Sequence, residues 1–574
     1  MADLRSVLAE RLQAAFNAVE PGADPVLRAS DRADFQANGA LALAKRIGRD
    51  PRQVAEEVVA KAQLGDVCRE VTVSGPGFVN LTLATSFLAG QVSAVTADAG
   101  LGVEPAPRAE TVVVDYSAPN VAKEMHVGNL RSTIIGDALC RMLEAAGHRV
   151  RRENHLGDWG TPFGMLIEHL LDLGEQEAAH ELSVGDLGTF YQAARASFTA
   201  DEGFRDRSRG RVVLLQSGDP ETLRLWHVLV AESVRYFDHV YGELGVLLTD
   251  DDLVGESFYN PMLPAVVDDL QALGLLVEDE GARCVFPPGF ANRDGNPLPL
   301  IVQKSDGGYG YAATDLAAIR DRVGRLGADR ILYVVGAPQA QHLQMCFAVA
   351  RMAGWLPEGT AAEHVAFGSV LGSDRKMLRT RSGESVKLSE LLDEAVARAS
   401  AAMAERDLPM DGPERRRTAH ALGIGAVKYA DLANDRVKDY VFDWDRMLAF
   451  EGDTGPYLQY AHARIRSIFR RGGVAAPDAG EPPSLEASEE RDLALRLAGM
   501  GEAVREALEL SAPSKLCAYL YGLAATFTTF YERCPVLKAP DEETRRSRLL
   551  LCDLTARVLA RGLGLLGIEA PDRM

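Results

Sequence analysis

The segment that most constrains this chain runs from Thr111 to Leu143. It opens with a short β-branched run, Thr111 to Val114, bounded by a Ser-Ala-Pro-Asn turn, the pattern of a buried strand entering a loop. From Leu130 the period changes. Leu130, Ile134, Ala138 and Met142 recur every four residues, with Ile135, Leu139 and Leu143 beside them, which predicts one apolar helix face. His126-Val127-Gly128-Asn129 therefore falls where a loop meets a helix N-terminus. Backbone N–H groups are unpaired there and the helix dipole is positive, so a phosphate is the natural ligand.

At 574 residues the chain is too long for one core, and about three or four domains are expected. No apolar run is long enough to span a bilayer, and the first residues are amphipathic rather than a signal peptide. The seven cysteines are scattered without a C-x-x-C pair, so neither a structural zinc nor a disulfide framework is expected, and a reducing cytoplasm fits. A net charge of −20 speaks against polyanion binding by the chain as a whole. Local clusters at Arg149, Arg151 and Arg152, at Arg415 to Arg417, and at Arg464, Arg466, Arg470 and Arg471 leave that question open.

Residues 1–105 read as a small α+β unit. It has a helical stripe at Leu4, Val7, Leu8 and Leu12, and strands at Val71 to Val73 and Phe78 to Leu83 around a Gly-Pro-Gly turn. Residues 106–400 read as a doubly wound α/β unit whose strand-like runs return at Leu300 to Val302 and Ile331 to Val335, interrupted by a helical insertion at about 180–280. In the insertion Leu223, Trp226, Val230, Val234 and Phe237 form a stripe expected in the core. Residues 401–574 read as an all-α bundle.

The run Val114 to Asn120, then Ala122-Lys123, His126 to Gly128 and Leu130 to Asp137, continued by Asn154-His155-Leu156-Gly157-Asp158-Trp159-Gly160, closely resembles the signature of class I arginyl-tRNA synthetases. The resemblance covers the whole chain. It implies ATP-dependent activation of arginine and its transfer to the terminal ribose of tRNA, with Mg²⁺ accompanying ATP, in a monomeric cytoplasmic ligase. Selection of arginine requires anions placed for a planar guanidinium. The resemblance puts Asp115, Asn120, Tyr311, Asp315 and Gln339 around that amino acid, with Asp115, Tyr311 and Asp315 on the guanidinium. His126, Gly128 and Asn129 fall on ATP, with Lys123 nearby. Asn129 stands where the family usually has a second His, and Asp115 where it usually has Glu.

Lys376 to Gly383 resembles the family's second signature loop, with Arg381 at the position of its catalytic Lys and Lys376 and Arg379 beside it. At the C-terminal end, Tyr457, Tyr460 and Arg464 share a predicted helix face suited to stacking on unpaired bases. Tyr531 and Met574 match further tRNA contacts of the family, and Phe35, Gln36 and Asn38 are candidates for the tRNA elbow. Two alternatives stay open on sequence alone: a diverged paralogue with a biosynthetic or resistance role, and a non-catalytic tRNA-binding relative.

Overall fold

The computed structural model describes residues 4–174, 187–379, 386–405, 410–477 and 481–574. They divide into two units, one of residues 1–105, 450–564 and 569–574, the other of residues 106–449 and 565–568. No helix among the described residues is long and apolar enough to cross a membrane.

The first unit opens with an antiparallel sheet ordered β1-β2-β4-β3: Leu27–Ala29, Phe35–Ala37, Phe78–Leu83 and Cys68–Ser74, with β1 to β4 numbered along the chain. Phe35 and Gln36 sit in β2, where Phe35 is opposite Leu81 and Gln36 opposite Asn80. The same unit contains the helices Gly455–Gly472, Ser488–Leu497, Met500–Glu509 and Ser514–Arg533. Arg491 on the second of these pairs with Asp34, and Arg5 pairs with Glu502.

The second unit is built on a four-stranded parallel sheet. Its strands are β5 (Thr111–Asp115), β6 (Arg149–Glu153), β10 (Arg330–Tyr333) and β11 (Ala361–His364), in the order β11-β10-β5-β6. β5 is buried throughout because it lies between two neighbours and carries Val112, Val113 and Val114. The chain leaves β5 toward β6 on one side and later returns through β10 on the other. The carboxyl ends of β5 and β10 are thus a switch point, where a doubly wound sheet opens a crevice. Register puts Asp115 beside Glu153 on one side and Tyr333 on the other.

Two expectations need correction. Leu300 to Val302 is a strand, but β9 (Leu300–Gln303) belongs to a separate antiparallel sheet with β7 (Val277–Asp279) and β8 (Ala282–Val285). A four-residue apolar run does not encode which sheet it joins, and the hairpin just before it captures its edge. Residues 401–449 group with residues 106–400 rather than with the C-terminal helices. The helix Gly412–Leu432 carries Asp431, which is buried against the guanidinium of Arg131 on the helix Val127–Ala145. Arg131 also donates to the Lys438 carbonyl at 3.1 Å and lies under the rings of Phe367 and Tyr440. Breaking such a buried pair leaves an uncompensated charge, so this segment is fastened to that helix.

Candidate active site

Leaving β5, the chain bends through Ser117 and Ala118 and later Ala122, three non-glycine residues with φ of 72°, 46° and 58°. Conformations like these cost on the order of 1 kcal/mol each and persist only when neighbours hold them. Here the neighbours are identifiable. Ser117 N–H donates to Ser132 Oγ at 2.9 Å, and Ala118 N–H donates to Asn154 Oδ1 at 3.0 Å. Ala122 N–H donates to Ser233 Oγ at 2.9 Å, and the Ser117 and Tyr241 hydroxyls share a 2.7 Å bond. Ser233 and Tyr241 lie on the helix Pro220–Leu244, so the insertion supports the loop directly. The stripe expected in its core is divided. Trp226 and Phe237 are buried, whereas Leu223, Val230 and Val234 are half-buried and line, with Trp226, Trp159 and Phe258, a cavity of about 470 Å³ beside Asp158.

The loop delivers His126 to the N-cap of the helix Val127–Ala145, with φ −118° and ψ 170°. Its Nδ1 accepts from Gly128 N–H at 2.9 Å, and its own N–H donates to Asn129 Oδ1 at 3.1 Å. Asn129 is therefore the reciprocal member of a capping box, a role its amide oxygen fills. A Cβ at Gly128 would sit 2.6 Å from the His126 ring, so glycine is required to keep the imidazole in place. Partial burial and the Lys123 charge both hold His126 below the ordinary imidazole range, which keeps it neutral at pH 7. Lys123 Nζ lies 4.8 Å from the centre of the Tyr191 ring.

The segment that follows the second signature loop is tied to the first motif by backbone. Val127 N–H donates to the Val386 carbonyl at 3.1 Å and Leu388 N–H to the Met125 carbonyl at 2.9 Å, while Lys387 pairs with Glu124 at 2.8 Å. Upstream, Lys376, Met377, Leu378 and Arg379 line a cavity of about 620 Å³ with Gly372, Ser373 and Asp374. Arg381 lies outside the described residues.

The crevice at the strand ends holds two acidic groupings. In the first, Asp115 Oδ2 accepts from Arg322 Nη2 at 2.7 Å and Glu153 Oε2 accepts from Arg322 Nε at 2.6 Å. Arg322 is fully buried and its guanidinium lies 5.0 Å from the Tyr333 ring centre. Burial works against its charge, but Glu153 and Asp115 outweigh it and hold the guanidinium firmly protonated. Asp115 Oδ1, Arg322 Nη1 and the Tyr259 and Tyr333 hydroxyls around it find no hydrogen-bond partner among the described residues.

In the second grouping, Asp315 Oδ2 meets His342 Nε2 at 2.6 Å, and His342 Nε2 lies 3.6 Å from Cys346 Sγ. Burial, then Asp158 and Asp315, push Glu256 up to about 7. Burial likewise raises Asp158, which accepts from Ser257 N–H and Oγ–H. None of these three carboxyl groups is ion-paired with an Arg or Lys of the described chain. Tyr311, at the first turn of the helix Tyr311–Gly324, is 76% exposed, and Gln339 and Asn120 are exposed. Glu256 was not among the residues singled out from the sequence, where nothing but an acid after Gly255 in a loop marks it.

Asp315, His342 and Cys346 place metal-type donor atoms within 4.8 Å of one another. Two donors on one tetrahedral cation stand about 3.3 Å apart, whereas Asp315 and His342 are at hydrogen-bond distance. Asp315 and His342 are a hydrogen-bonded pair, with Cys346 in the apolar core behind them.

In the other unit, Tyr457, Tyr460 and Arg464 are half-buried on the helix Gly455–Gly472. Arg464 stacks on Tyr531 at 4.8 Å, and Tyr531 stacks in turn on Phe527 at 6.0 Å. The terminal segment runs along the same helix, held by Gln459 to the Glu569 carbonyl and Arg470 to the Asp572 carbonyl, and ends at a half-buried Met574. Phe35 and Gln36 are buried, Gln36 donating to Asn80 Oδ1 at 2.8 Å, and Asn38 is half-buried. The first two are sheet interior in the free protein.

Comparison with known proteins gives consistent matches along the chain. Residues 91–444 match the family tRNA synthetases class I (R), catalytic domain; residues 458–574 match the DALR anticodon binding domain; residues 2–83 match the arginyl tRNA synthetase N terminal domain. The arginine–tRNA ligase of Thermobifida fusca is 55% identical and that of Streptomyces avermitilis 49% identical, each over 100% of both chains. The crystal structure of arginyl-tRNA synthetase from Plasmodium falciparum superposes with a TM-score of 0.84 at 29% identity, covering 99% of this chain and 98% of that one. The Thermus thermophilus arginyl-tRNA synthetase gives 0.82 at 26% identity over 100% of both.

Proposed function

Because the chain belongs to the class I arginyl-tRNA synthetases and is an arginine–tRNA ligase, we propose a division of labour among its residues. Arginine enters the crevice at the carboxyl ends of β5 and β10 with its guanidinium toward Asp315 and Glu256, under Tyr311. Its α-amino group faces Asp115 Oδ1, with Asn120 and Gln339 at the rim. The sequence reading put Asp115 on the guanidinium. Arg322 argues for the α-amino group instead, since it already occupies Asp115 Oδ2 and leaves a single oxygen, which suits a compact ammonium but cannot take a guanidinium fork bidentately. ATP, as its magnesium salt, lies along His126, Gly128 and Asn129, its phosphates drawn to the helix N-terminus and Lys123.

The chemistry needs no protein nucleophile. The arginine carboxylate attacks the α-phosphate, pyrophosphate leaves, and the adenylate passes the arginyl group to the terminal ribose of tRNA. Alignment and charge stabilisation supply the rate. Lys376, Arg379 and Arg381 form a cationic clamp for the departing pyrophosphate. Tyr457, Tyr460, Arg464, Tyr531 and Met574 offer the anticodon loop a stacking surface. Residues 1–105, including Asn38, serve the tRNA elbow.

The observation that carries the arginine assignment is the grouping of Asp315, Glu256 and Asp158 with no Arg or Lys among the described residues paired to it. Partly buried carboxyl groups left without a cation are costly unless a cationic ligand completes them. The test is aminoacylation by purified protein with arginine, lysine and citrulline, together with ATP–pyrophosphate exchange with and without tRNA. Charging confined to arginine, with exchange that depends on tRNA, supports the reading. Efficient charging with citrulline would defeat the guanidinium assignment.

A further inference from the structure

The pair formed by His342 and Asp315 is not used in the assignments above, and its geometry is demanding. His342 is in the first turn of the helix Ala340–Met352, directly after Gln339, and its Nε2 stands 2.6 Å from Asp315 Oδ2. The two side chains are partly exposed, 34% for His342 and 23% for Asp315, so both face the crevice rather than the core. Cys346, one turn further along, lies 3.6 Å from the same nitrogen and is fully buried. The imidazole is thus held between an apolar wall and a single carboxylate oxygen. This arrangement fixes one oxygen of Asp315 and leaves the other for a ligand.

We propose that His342 is a positioning residue that orients Asp315 toward the substrate guanidinium and, by taking up a proton, weakens arginine binding. The inference rests on the assignment of Asp315 to arginine. With neutral His342 donating Nε2–H, the pair keeps one negative charge for the cationic ligand. With His342 protonated, the pair is neutral and the guanidinium meets a cation behind its carboxylate. The groups that share this space are Asp315 on the facing helix, Cys346 on the same helix, Glu256 at the start of the short helix Glu256–Tyr259, and Asp158 on a loop. The hydrogen bond to Asp315 raises His342 above the ordinary imidazole value, while burial opposes it. Arginine binding should therefore strengthen as pH rises through neutrality. Glu256, at about 7, ionises in the same window and acts in the same direction, so the two contributions must be separated by substitution.

The test is the pH profile of KM for arginine between pH 6 and pH 8.5 in wild type, His342→Gln, His342→Ala and Glu256→Gln, with kcat recorded alongside. The Gln amide donates to Asp315 but takes no proton. We expect H342Q to bind arginine at pH 8 within about threefold of wild type and to lose much of the rise in KM toward pH 6, an amount E256Q leaves in place. H342A should raise KM at least tenfold at every pH, with kcat changed far less. By linkage, arginine should lower the His342 pKa, read by proton NMR of the imidazole with H342Q as the assignment control. A wild-type profile superposable on that of H342Q, or a His342 pKa that arginine does not move, overturns the proposal. Asp315→Asn separates the two levels. If it leaves KM for arginine unchanged, the assignment of the site has failed; if it raises KM while the His342 results are negative, the positioning role alone has failed.

Discussion

Asp115 and Asp315 stand on either side of one crevice, yet the protein treats them differently. Asp115 ends a central strand, is buried, and shares the internal cation Arg322 with Glu153. Asp315 lies on a helix facing the opening and is met, among the described residues, by His342, a donor that is uncharged in one of its two states, with Glu256 and Asp158 nearby. The difference teaches that an acid's place at a strand end does not by itself make it the receptor for a guanidinium. What counts is whether the chain has already supplied the counter-charge. Asp115 with Glu153 and Arg322 builds the floor of the crevice, and Asp315 with its neighbours remains to be completed.

Breaking the open side should hurt activity most. Asp315→Ala is expected to lower kcat/KM for arginine about 10³-fold, roughly 4 kcal/mol, with little loss of stability, as for truncation of one partner of a desolvated charge pair. Steady-state charging kinetics and a thermal melt measure the two halves. Breaking the closed side should cost stability as well as activity. Asp115→Ala leaves Arg322 with one carboxylate and is expected to cost about 3 kcal/mol of unfolding free energy, read by urea denaturation followed by circular dichroism. If D115A melts like wild type, Arg322 is not the counter-charge that orders the floor.

A smaller effect is expected at the nucleotide side. Gly128→Ala drives a Cβ into the His126 ring at 2.6 Å. It should reduce kcat by about 10- to 100-fold while leaving KM for arginine nearly unchanged, since displacement of an aligned group costs rate. Equal losses in KM for arginine would mean that His126 reaches the arginine side as well. The smallest effect belongs to Asn129→Ala, which removes one half of the capping box and should cost about 1 kcal/mol of stability with a modest change in rate. A large rate loss in N129A would assign the amide to substrate instead.

Much of this was legible in the sequence, and the reasons are local. β5 and the helix Val127–Ala145 announced themselves by a change of period within thirty-three residues, from Thr111 to Leu143, and the helix N-terminus followed from it. The motif at His126 was readable too, although it did not reveal that Gly128 makes room for the imidazole or that Asn129 closes the cap. The unread parts depend on distant pairings. Arg322 meets Asp115 across 207 residues and His342 meets Asp315 across 27, and no periodicity links such partners. Glu256 carries no motif of its own, and its displacement to about 7 comes from burial and from two acids elsewhere in the chain. That Phe35 and Gln36, offered as candidates for the tRNA elbow, lie inside a sheet was not readable, because a three-residue strand buried on both faces shows no alternation.

The most direct measurement is the preference for arginine over citrulline, its uncharged near-isostere, in wild type, Asp315→Asn and Asp115→Asn. We expect Asp315→Asn to lose at least about tenfold more of the kcat/KM preference than Asp115→Asn, because of these two acids the proposed arrangement sets Asp315 against the guanidinium. An undiminished preference for arginine in Asp315→Asn, with the loss falling on Asp115→Asn instead, would contradict that division.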